Sequence, residues 1–302
     1  MRQIEPPLVE QARAYARRGW SVLPLWWPTA TRDCACGLAD CESTGKHPIR
    51  RLVPHGLHDA STRLDAIDEW WRLYPHANTG IRTGARSRLL VLDVDGEAGR
   101  LALRGVAAHH GRFDARWVQT GSRGWHAYFA HPGGSVPNSA GRLGVGLDVR
   151  GDGGYVVAPP SRHRSGSTYR WVDAREADRP LPAAPDWLLD LAGPAGHEPQ
   201  PVLLLSDDVH AYAAAALASE LREVAEAPPG QRNHQLNRSA FKLGQLVGAR
   251  LLDEAAVTAA LVAAGLSAGP GERKIRSTIR RGLQAGIRQP RQVVLRAEAS
   301  SC

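Results

Sequence analysis

The chain has 302 residues, of which 43% are hydrophobic and 23% charged, and 38 Lys and Arg against 30 Asp and Glu give a net charge of +8. This length predicts one large or two modest domains, and the ordinary composition excludes a largely disordered, collagen-like or fibrous protein. The positive charge favours a polyanionic partner such as nucleic acid or nucleotide.

The two ends of the chain and its cysteines bear on the compartment. Residues 1–11 are charged and have no apolar segment of the kind a secretory signal needs, so a cytoplasmic protein is expected. The longest nearly apolar stretch, 255–266, is shorter than the roughly 20 residues that cross a bilayer, so no membrane partner is expected. Three of the four cysteines crowd together and Cys302 is the last residue, which suits a metal site in a reducing compartment better than a disulfide scaffold.

The N-terminal part mixes helical and strand-like patterns. Helical spacing over residues 6–18 ends at Gly19 and is followed by a strand-like run over 20–25. Residues 31–54 are dense in Cys, Gly, Pro and charge, which predicts an irregular insertion that needs a cross-link to hold its structure. An amphipathic helix is predicted over 64–73.

From residue 80 onward, short strand-like runs separated by turn residues dominate, and one predicted helix over 97–109 interrupts them. This pattern predicts an α+β fold with a mixed, mostly antiparallel sheet. The predicted strands are 80–83, 89–94, 116–120, 125–129, 145–149, 155–158 and 169–172.

The last third of the chain has a different pattern. Six prolines between residues 180 and 201 predict a linker, and the strand-like runs stop after it. A small all-α helical domain is predicted from helices over 206–227, 231–249, 253–264 and 271–285. The predicted organisation is a catalytic domain over 1–179, a linker over 180–205, a helical domain over 206–290 and a tail over 291–302.

The sharpest local feature is the run LLVLDVD at residues 89–95, an apolar strand that ends in two acids. Because strand side chains alternate, Asp93 and Asp95 are expected on one face, with Cα atoms about 6 to 7 Å apart. Two like charges at that distance favour a cation, and carboxylate oxygens suit the Mg²⁺ or Mn²⁺ ions of nucleotidyl transfer. The alternative is that these acids cap the helix predicted over 97–109.

Two later segments add polar residues next to strands. The segment TGSRGWHAYF at 120–129 contains a turn whose backbone N–H groups and guanidinium suit a triphosphate, and His126 adds one more donor. The segment GLDVRGDGGYVVAPPS at 146–161 places a third acid, Asp148, in the middle of a strand.

Taken in order, these segments resemble a known set of motifs. The hhhDhD pattern at Asp93 and Asp95, the Ser/Gly/Arg turn before His126, and hD at Asp148 followed by GxGGYVVAPPS resemble the three active-site motifs of archaeo-eukaryotic primases. In particular, the chain resembles the bifunctional DNA primase/polymerase (Prim-Pol) family from about residue 12 to 172.

The resemblance implies a template-dependent nucleotidyltransferase that synthesises or extends primers on single-stranded DNA from nucleoside triphosphates. A 3′-hydroxyl activated by one metal ion would attack the α-phosphate, and the other ion would stabilise the leaving pyrophosphate. The sequence has no P-loop for the helicase motor that larger relatives carry, so a replicative helicase is expected as a separate partner. The implied ligands of Mg²⁺ or Mn²⁺ are Asp93, Asp95 and Asp148. The implied phosphate contacts are Ser122, Arg123 and His126.

The cysteine cluster offers three thiolates and one imidazole, a sufficient tetrahedral set for a structural zinc ion. The ligands would be Cys34, Cys36, Cys41 and His47. The C-x-C start is tighter than the common zinc knuckle, and free cysteines in a loop are the alternative. Related Prim-Pol sequences carry a similar insertion that ends in GKHP, here residues 45–48, and this resemblance favours zinc. Lys46 could contact a phosphate backbone or be ordinary surface charge.

The last predicted helix carries basic side chains around an apolar stripe. Such a face either contacts the phosphates of a template or is simply solvated. Prim-Pol proteins often follow the catalytic domain with a helical module, which this region loosely resembles. The candidate nucleic-acid-binding residues are Arg273, Lys274, Arg276, Arg280 and Arg281.

Two other functions are open at this point. The run LDVDG at 92–96 imitates the nucleophile motif of haloacid-dehalogenase-like phosphatases, but Glu97 replaces its threonine and Lys242 and Lys274 are the only later lysines. A non-catalytic nucleic-acid-binding or replication-initiator protein on a primase fold is the second alternative. The three acids and His126 favour the enzyme.

Overall fold

The fold comes from a computed structural model, which describes residues 7–39, 41, 43–139, 145–173, 179–192, 201–227, 232–266 and 272–296. Over these residues the chain forms eight α-helices and ten β-strands. The mixed α+β class predicted from the sequence is confirmed. The chain divides into two compact units, the first covering Met1–Asp95, Phe113–Arg142 and Asp148–His197, and the second covering Gly96–Arg112, Leu143–Leu147 and Glu198–Cys302.

The first unit begins with helix α1 (Leu8–Arg17), strand β1 (Val22–Leu25) and helix α2 (Leu64–Leu73), close to their predicted positions. Gly19 ends α1 with a φ of 81°, in the left-handed region that glycine enters most easily, and its N–H donates to the Ala16 carbonyl.

Two antiparallel sheets form the body of the first unit. In the three-stranded sheet, β2 (Asn78–Arg82) pairs with β1 on one side and with β7 (Tyr155–Val157) on the other. The strands of the five-stranded sheet are β3 (Leu89–Val94), β4 (Arg116–Gln119), β5 (Trp125–Ala130), β6 (Leu147–Arg150) and β8 (Arg170–Trp171). Their order is β6-β3-β5-β4-β8, and β5 is antiparallel to both β3 and β4. The predicted antiparallel character of the sheet is confirmed.

The core of the first unit joins both sheets to the first two helices. Tyr15, Leu23 and Trp71 pack in one buried cluster with Val91 and Tyr128 of the five-stranded sheet. Because alternate residues of β3 face the same side, Asp93 lies on the same face as Val91. Asp93 is only partly buried, so its carboxylate lies at the rim of the core.

The second unit is mainly helical. Its helices are α3 (Gly96–His110), α5 (Val209–Ala225), α6 (Arg232–Gly248), α7 (Glu254–Leu266) and α8 (Glu272–Ile287). Helices α6 and α8 approach closely at Gly244, which has no side chain. A Cβ atom at this position would lie only 2.3 Å from the Leu283 carbonyl oxygen. Among the described residues, no helix has both the length and the apolar character that a membrane span requires.

Around the predicted helical domain the structure has elements that the sequence did not predict. The segment predicted as a linker, 180–205, carries helix α4 (Asp186–Ala192) and strand β9 (Val202–Leu205). Strand β9 pairs in parallel with β10 (Val293–Arg296), which lies in the predicted tail, so the two strands flank the region predicted to be all-α. Both strands are only four residues long and pair across a long stretch of chain, so no local pattern marks them.

Candidate active site

Adjacent strands hold Asp93 and His126 side by side. Asp93 on β3 is the register partner of His126 on β5, and 3.5 Å separates Asp93 Oδ1 from His126 Nε2. The imidazole is 6% exposed and lies near the rings of Tyr128 and Tyr169, with centroid distances of 6.2 and 5.9 Å. Burial lowers the pKa of His126 more than the charges of Asp93 and Asp95 raise it. The imidazole is therefore neutral at pH 7 and carries one N–H.

Strand β6 brings a third acid and a cation to the same place. Asp148 and Arg150 are two positions apart on β6, which lies next to β3, so their side chains share one face of the sheet. Arg150 Nη2 lies 3.0 Å from Asp93 Oδ2 and 3.1 Å from Asp148 Oδ2. Burial disfavours a charged guanidinium, but the charges of Asp93 and Asp148 outweigh it and raise the pKa of Arg150. One guanidinium thus bridges two carboxylates.

Asp95 follows the last residue of β3 and is exposed. Ser122 Oγ donates to Asp95 Oδ1 at 3.3 Å, and it lies 3.0 Å from Thr120 Oγ1. The same Thr120 oxygen accepts the N–H of Gly124 at 3.0 Å, which fixes the turn between β4 and β5. Arg123 is exposed in this turn with a φ of 67°, in the left-handed region, and among the described residues it pairs with none of the three acids.

The structure therefore brings five of the six predicted site residues together at one end of the five-stranded sheet and leaves Arg123 at the tip of the turn. The five are Asp93, Asp95, Ser122, His126 and Asp148. The carboxylate oxygens suit a divalent cation, and two of the acids already share a positive charge, the guanidinium of Arg150. The residues present therefore fit Mg²⁺ or Mn²⁺.

The sequence reasoning missed Arg150, although the signal was available. The alternation that placed Asp93 and Asp95 on one face applies equally to Asp148 and Arg150. What the alternation could not show is that β6 lies beside β3, which depends on pairing between strands far apart in the chain.

His163, which packs against the turn between β4 and β5, was also not predicted from the sequence. A Cβ atom on Gly121 would lie 2.0 Å from His163 Cβ, so the turn packs directly on this side chain. Ser165 Oγ donates to the Gly121 carbonyl at 2.8 Å, and the Ser165 N–H donates to His163 Nδ1 at 3.2 Å. Burial lowers the pKa of His163 to about 4. No local pattern identifies this residue, because its role arises from packing.

The cysteine cluster assembles as predicted. The ligand atoms of Cys34, Cys36, Cys41 and His47 all lie within 4.8 Å of one another. His47 Nε2 is 3.3 Å from the sulfur of Cys34 and 3.3 Å from that of Cys41. Burial, followed by the charge of Arg50, lowers the pKa of His47 and keeps the neutral imidazole that a metal requires. This Cys₃His cluster could bind zinc. Across the residues the structure describes, it is the one group of three or more such side chains gathered this tightly, so Asp93, Asp95 and Asp148 do not form so tight a group.

The segment that supplies the last cluster ligand is tied to the strands of the first unit. Asn78 Nδ2 donates to the Gly45 carbonyl at 2.9 Å, and the Tyr155 hydroxyl donates to the Lys46 carbonyl at 2.9 Å. The side chain of Lys46 is exposed, and its charge adds to the effect of burial in lowering the pKa of His126. Lys46 therefore contributes positive charge beside the candidate phosphate-contacting histidine.

The predicted basic helix is α8, and four of its arginines are exposed. With Ser277 and Thr278 they line a concavity of about 720 Å³; the four are Arg273, Arg276, Arg280 and Arg281. Arg276 pairs with Glu272 at 2.7 Å, whereas the other three form no ion pair with any described residue. The side chain of Lys274 lies outside the described residues.

The antiparallel sheet and its carboxylate cluster define an α+β protein with an acidic site at one end of a sheet. The family described as bifunctional DNA primase/polymerase, N-terminal, matches residues 12–187, and the chain belongs to this Prim-Pol family. No curated protein shows a significant match to the chain. Membership confirms the resemblance carried by the three motifs and points to nucleotidyltransferase activity of the primase/polymerase type, with DNA and nucleotides as substrates.

The phosphatase alternative finds no support, because β3 is antiparallel to β5 and the phosphatase nucleophile motif belongs to parallel α/β domains.

Proposed function

We propose that this protein is a template-dependent nucleotidyltransferase that synthesises or extends primers on single-stranded DNA from nucleoside triphosphates. The observation that carries the proposal is the convergence of Asp93, Asp95 and Asp148 with His126 at one end of a single sheet, in a chain of the Prim-Pol family.

Asp93, Asp95 and Asp148 would hold the catalytic Mg²⁺ or Mn²⁺ ions. When bound, these ions activate the attacking 3′-hydroxyl and neutralise charge on the leaving pyrophosphate. The protein's part is to keep the three carboxylates in place: strand pairing holds Asp93 on β3 and Asp148 on β6, and Ser122 donates to Asp95 just after β3.

The phosphate contacts would come from His126 and the turn before it. The neutral imidazole of His126 donates its N–H to a phosphate oxygen. Ser122 offers its hydroxyl, whose position Thr120 fixes, and Arg123 offers an exposed guanidinium at the tip of the turn. Placing these donors before the reaction begins lowers the entropic part of the barrier and stabilises the charge that develops.

The Cys₃His cluster would hold a structural zinc ion, because four protein ligands leave no open coordination position. This ion would fix the insertion and, through it, the backbone around Lys46.

Template binding is proposed for the exposed arginines of α8 together with Lys274. Contacts of basic side chains with phosphates supply affinity and not sequence choice. The separate replicative helicase and the cytoplasmic location stay predictions from the sequence.

The proposal is tested by nucleotide incorporation on homopolymeric single-stranded DNA, primed and unprimed, with Mg²⁺ or Mn²⁺. Ribonucleotides and deoxynucleotides are offered separately. We expect incorporation of the complementary nucleotide only. Incorporation of non-complementary nucleotides at a similar rate would contradict the proposal. DNA binding with no incorporation under all of these conditions would favour a non-catalytic replication initiator.

A further inference from the structure

One side chain in the candidate active site has no part in the chemistry proposed above. Besides the two contacts of Nη2, the Nε atom of Arg150 donates to Asp93 Oδ2 at 3.3 Å. The side chain of Arg150 is 32% exposed and that of Asp93 is 18% exposed, so this pairing lies largely out of solvent. The guanidinium is held by two of the three proposed metal ligands.

A divalent cation would use the same two carboxylates, Asp93 and Asp148, as ligands. Two positive charges at such short range repel each other strongly in a partly buried site. The oxygens that accept from Arg150 also cannot keep those hydrogen bonds and bind a metal ion through the same lone pairs. Because of this repulsion, metal binding is expected to move the guanidinium away from Asp93 and Asp148.

We propose that Arg150 is an internal counter-ion that competes with the divalent metal for Asp93 and Asp148 and, once displaced, pairs with the triphosphate of the incoming nucleotide. The inference rests on the proposed function. It assigns to Arg150 the coupling between metal binding and nucleotide binding.

The second half of the proposal follows from burial. A displaced guanidinium that stays largely buried needs a new anion, because an unpaired buried charge is strongly destabilising. The nucleotide brings that anion, and a guanidinium suits phosphate oxygens because its planar fork can donate two parallel hydrogen bonds. Metal and nucleotide are therefore expected to bind cooperatively, each making the other's binding more favourable.

The test compares Mn²⁺ binding by the full chain with Arg150 and with Arg150→Gln, measured without nucleotide from the electron paramagnetic resonance signal of free Mn²⁺. We expect Arg150→Gln to bind Mn²⁺ about tenfold more tightly, or better, because a competing unit charge is gone. Arg150→Lys should give an intermediate affinity, since lysine keeps the charge but loses the fork. Arg150→Gln should also bind the Mn²⁺–nucleotide complex more weakly than the parent chain.

Arg72→Gln is the matched control, because it removes an exposed arginine that pairs with Glu69 at 2.7 Å on α2. Equal or weaker Mn²⁺ binding by Arg150→Gln and Arg150→Lys, or an equal gain in Arg72→Gln, would overturn the proposal. A cooperative thermal transition checks that each variant is folded. If Arg150→Gln does not fold, Arg150→Lys still allows the comparison with the parent chain. If neither the parent chain nor Arg150→Gln binds Mn²⁺, with or without nucleotide, the metal site of the proposed function fails as well, so the two failures are distinguishable.

Discussion

Charge at the carboxylate cluster is only partly balanced by groups of the protein itself. Three acids converge with one guanidinium, and the adjacent imidazole is neutral because burial lowers the pKa of His126. Three negative charges against one positive charge leave the cluster negative. Such a site attracts a divalent ion and the nucleotide complex that carries it.

At the same scale, His163 predicts a dependence of stability on pH. Burial, followed by the charges of Lys46 and Arg164, lowers its pKa from 6.5 to about 4, and its other neighbours are Ser165 and the ring of Tyr169. The unfolded chain takes up a proton near pH 6.5, whereas the folded chain does so only near pH 4. The stabilising effect is therefore complete above pH 6.5 and is lost as the pH falls toward 4.

We expect His163→Asn to flatten this part of the stability profile. One such group contributes at most about 1.4 kcal/mol per pH unit to the slope of the free energy of unfolding against pH. Chemical denaturation of the parent chain and the variant at several pH values between 4 and 6.5 measures it. His58→Asn, at an exposed position, is the control. Parallel stability profiles for His163→Asn and the parent chain would show that this histidine does not carry the effect.

The candidate site was predictable where a local pattern fixes a side chain. Asp93 and Asp95 end an apolar strand, and alternation alone places them together. The pairing of Arg150 with Asp93 joins residues 57 positions apart, so it depends on which strands are neighbours. A single sequence does not contain that information in any local form.

At the scale of elements, the insertion between β1 and α2 is expected to depend on its metal. Cys41→Ser should lose the zinc, about one ion per chain, and lower the melting temperature by about 4 °C or more, because a closed site contributes to folding. Cys302→Ser removes the cysteine outside the cluster and is the control. Metal analysis and thermal denaturation measure both effects. Protein purified without chelator that contains no zinc would refute the metal assignment.

The same insertion is expected to influence nucleotide binding through Lys46. The charge of this residue acts on His126, and its backbone is held by Asn78 and Tyr155. Lys46→Ala should therefore weaken nucleotide binding about three- to tenfold, as expected for loss of one partly screened charge contact, and leave the zinc content unchanged. Equilibrium binding of a fluorescent nucleotide measures it. Unchanged affinity in Lys46→Ala would mean that the residue is ordinary surface charge.

Elements with a strong periodic pattern were predicted well. Strand β3 and helix α2 have the bounds that the sequence predicts, because one is a dense apolar run and the other a clear amphipathic stripe. Helix α4 was missed because the prolines around it indicate a linker. Strands β9 and β10 were missed because their pairing is not local.

At the scale of the whole molecule, the two compact units are interleaved in the sequence. Helix α3 follows strand β3 directly, yet it belongs to the second unit, where it packs on β9. A Cβ atom on Gly105 of α3 would lie 1.9 Å from the Leu203 carbonyl oxygen. Deleting everything after residue 201 would expose this packed face, so substitutions test the second unit better than truncation.

If α8 binds template phosphates, replacing Arg273, Arg280 and Arg281 by Gln should weaken binding of single-stranded DNA. The slope of log affinity against log salt should become shallower by about 2, since each phosphate contact on a single strand contributes about 0.7. Nucleotide binding should be unchanged, because the three acids proposed as metal ligands belong to the first unit. Fluorescence anisotropy at several salt concentrations measures both quantities.

The matched control for that triple variant replaces three exposed arginines outside α8, namely Arg63, Arg72 and Arg222. It changes the net charge equally and should leave the salt slope unchanged. Equal slopes in the parent chain and the α8 variant would show that the basic face of α8 is only solvated surface.

The most direct measurement is primer extension on single-stranded DNA by the parent chain and by Asp93→Ala with Asp95→Ala. We expect the double variant to lose synthesis by about a hundredfold or more, because it removes two ligands that the reaction needs. Its melting temperature should change little, since Arg150 keeps Asp148 as a partner and the change opens no core cavity. Asp65→Ala with Glu69→Ala, two exposed acids on α2, should synthesise at the parent rate. Synthesis by the Asp93 and Asp95 double variant at the parent rate would contradict the assignment of these acids as the catalytic centre.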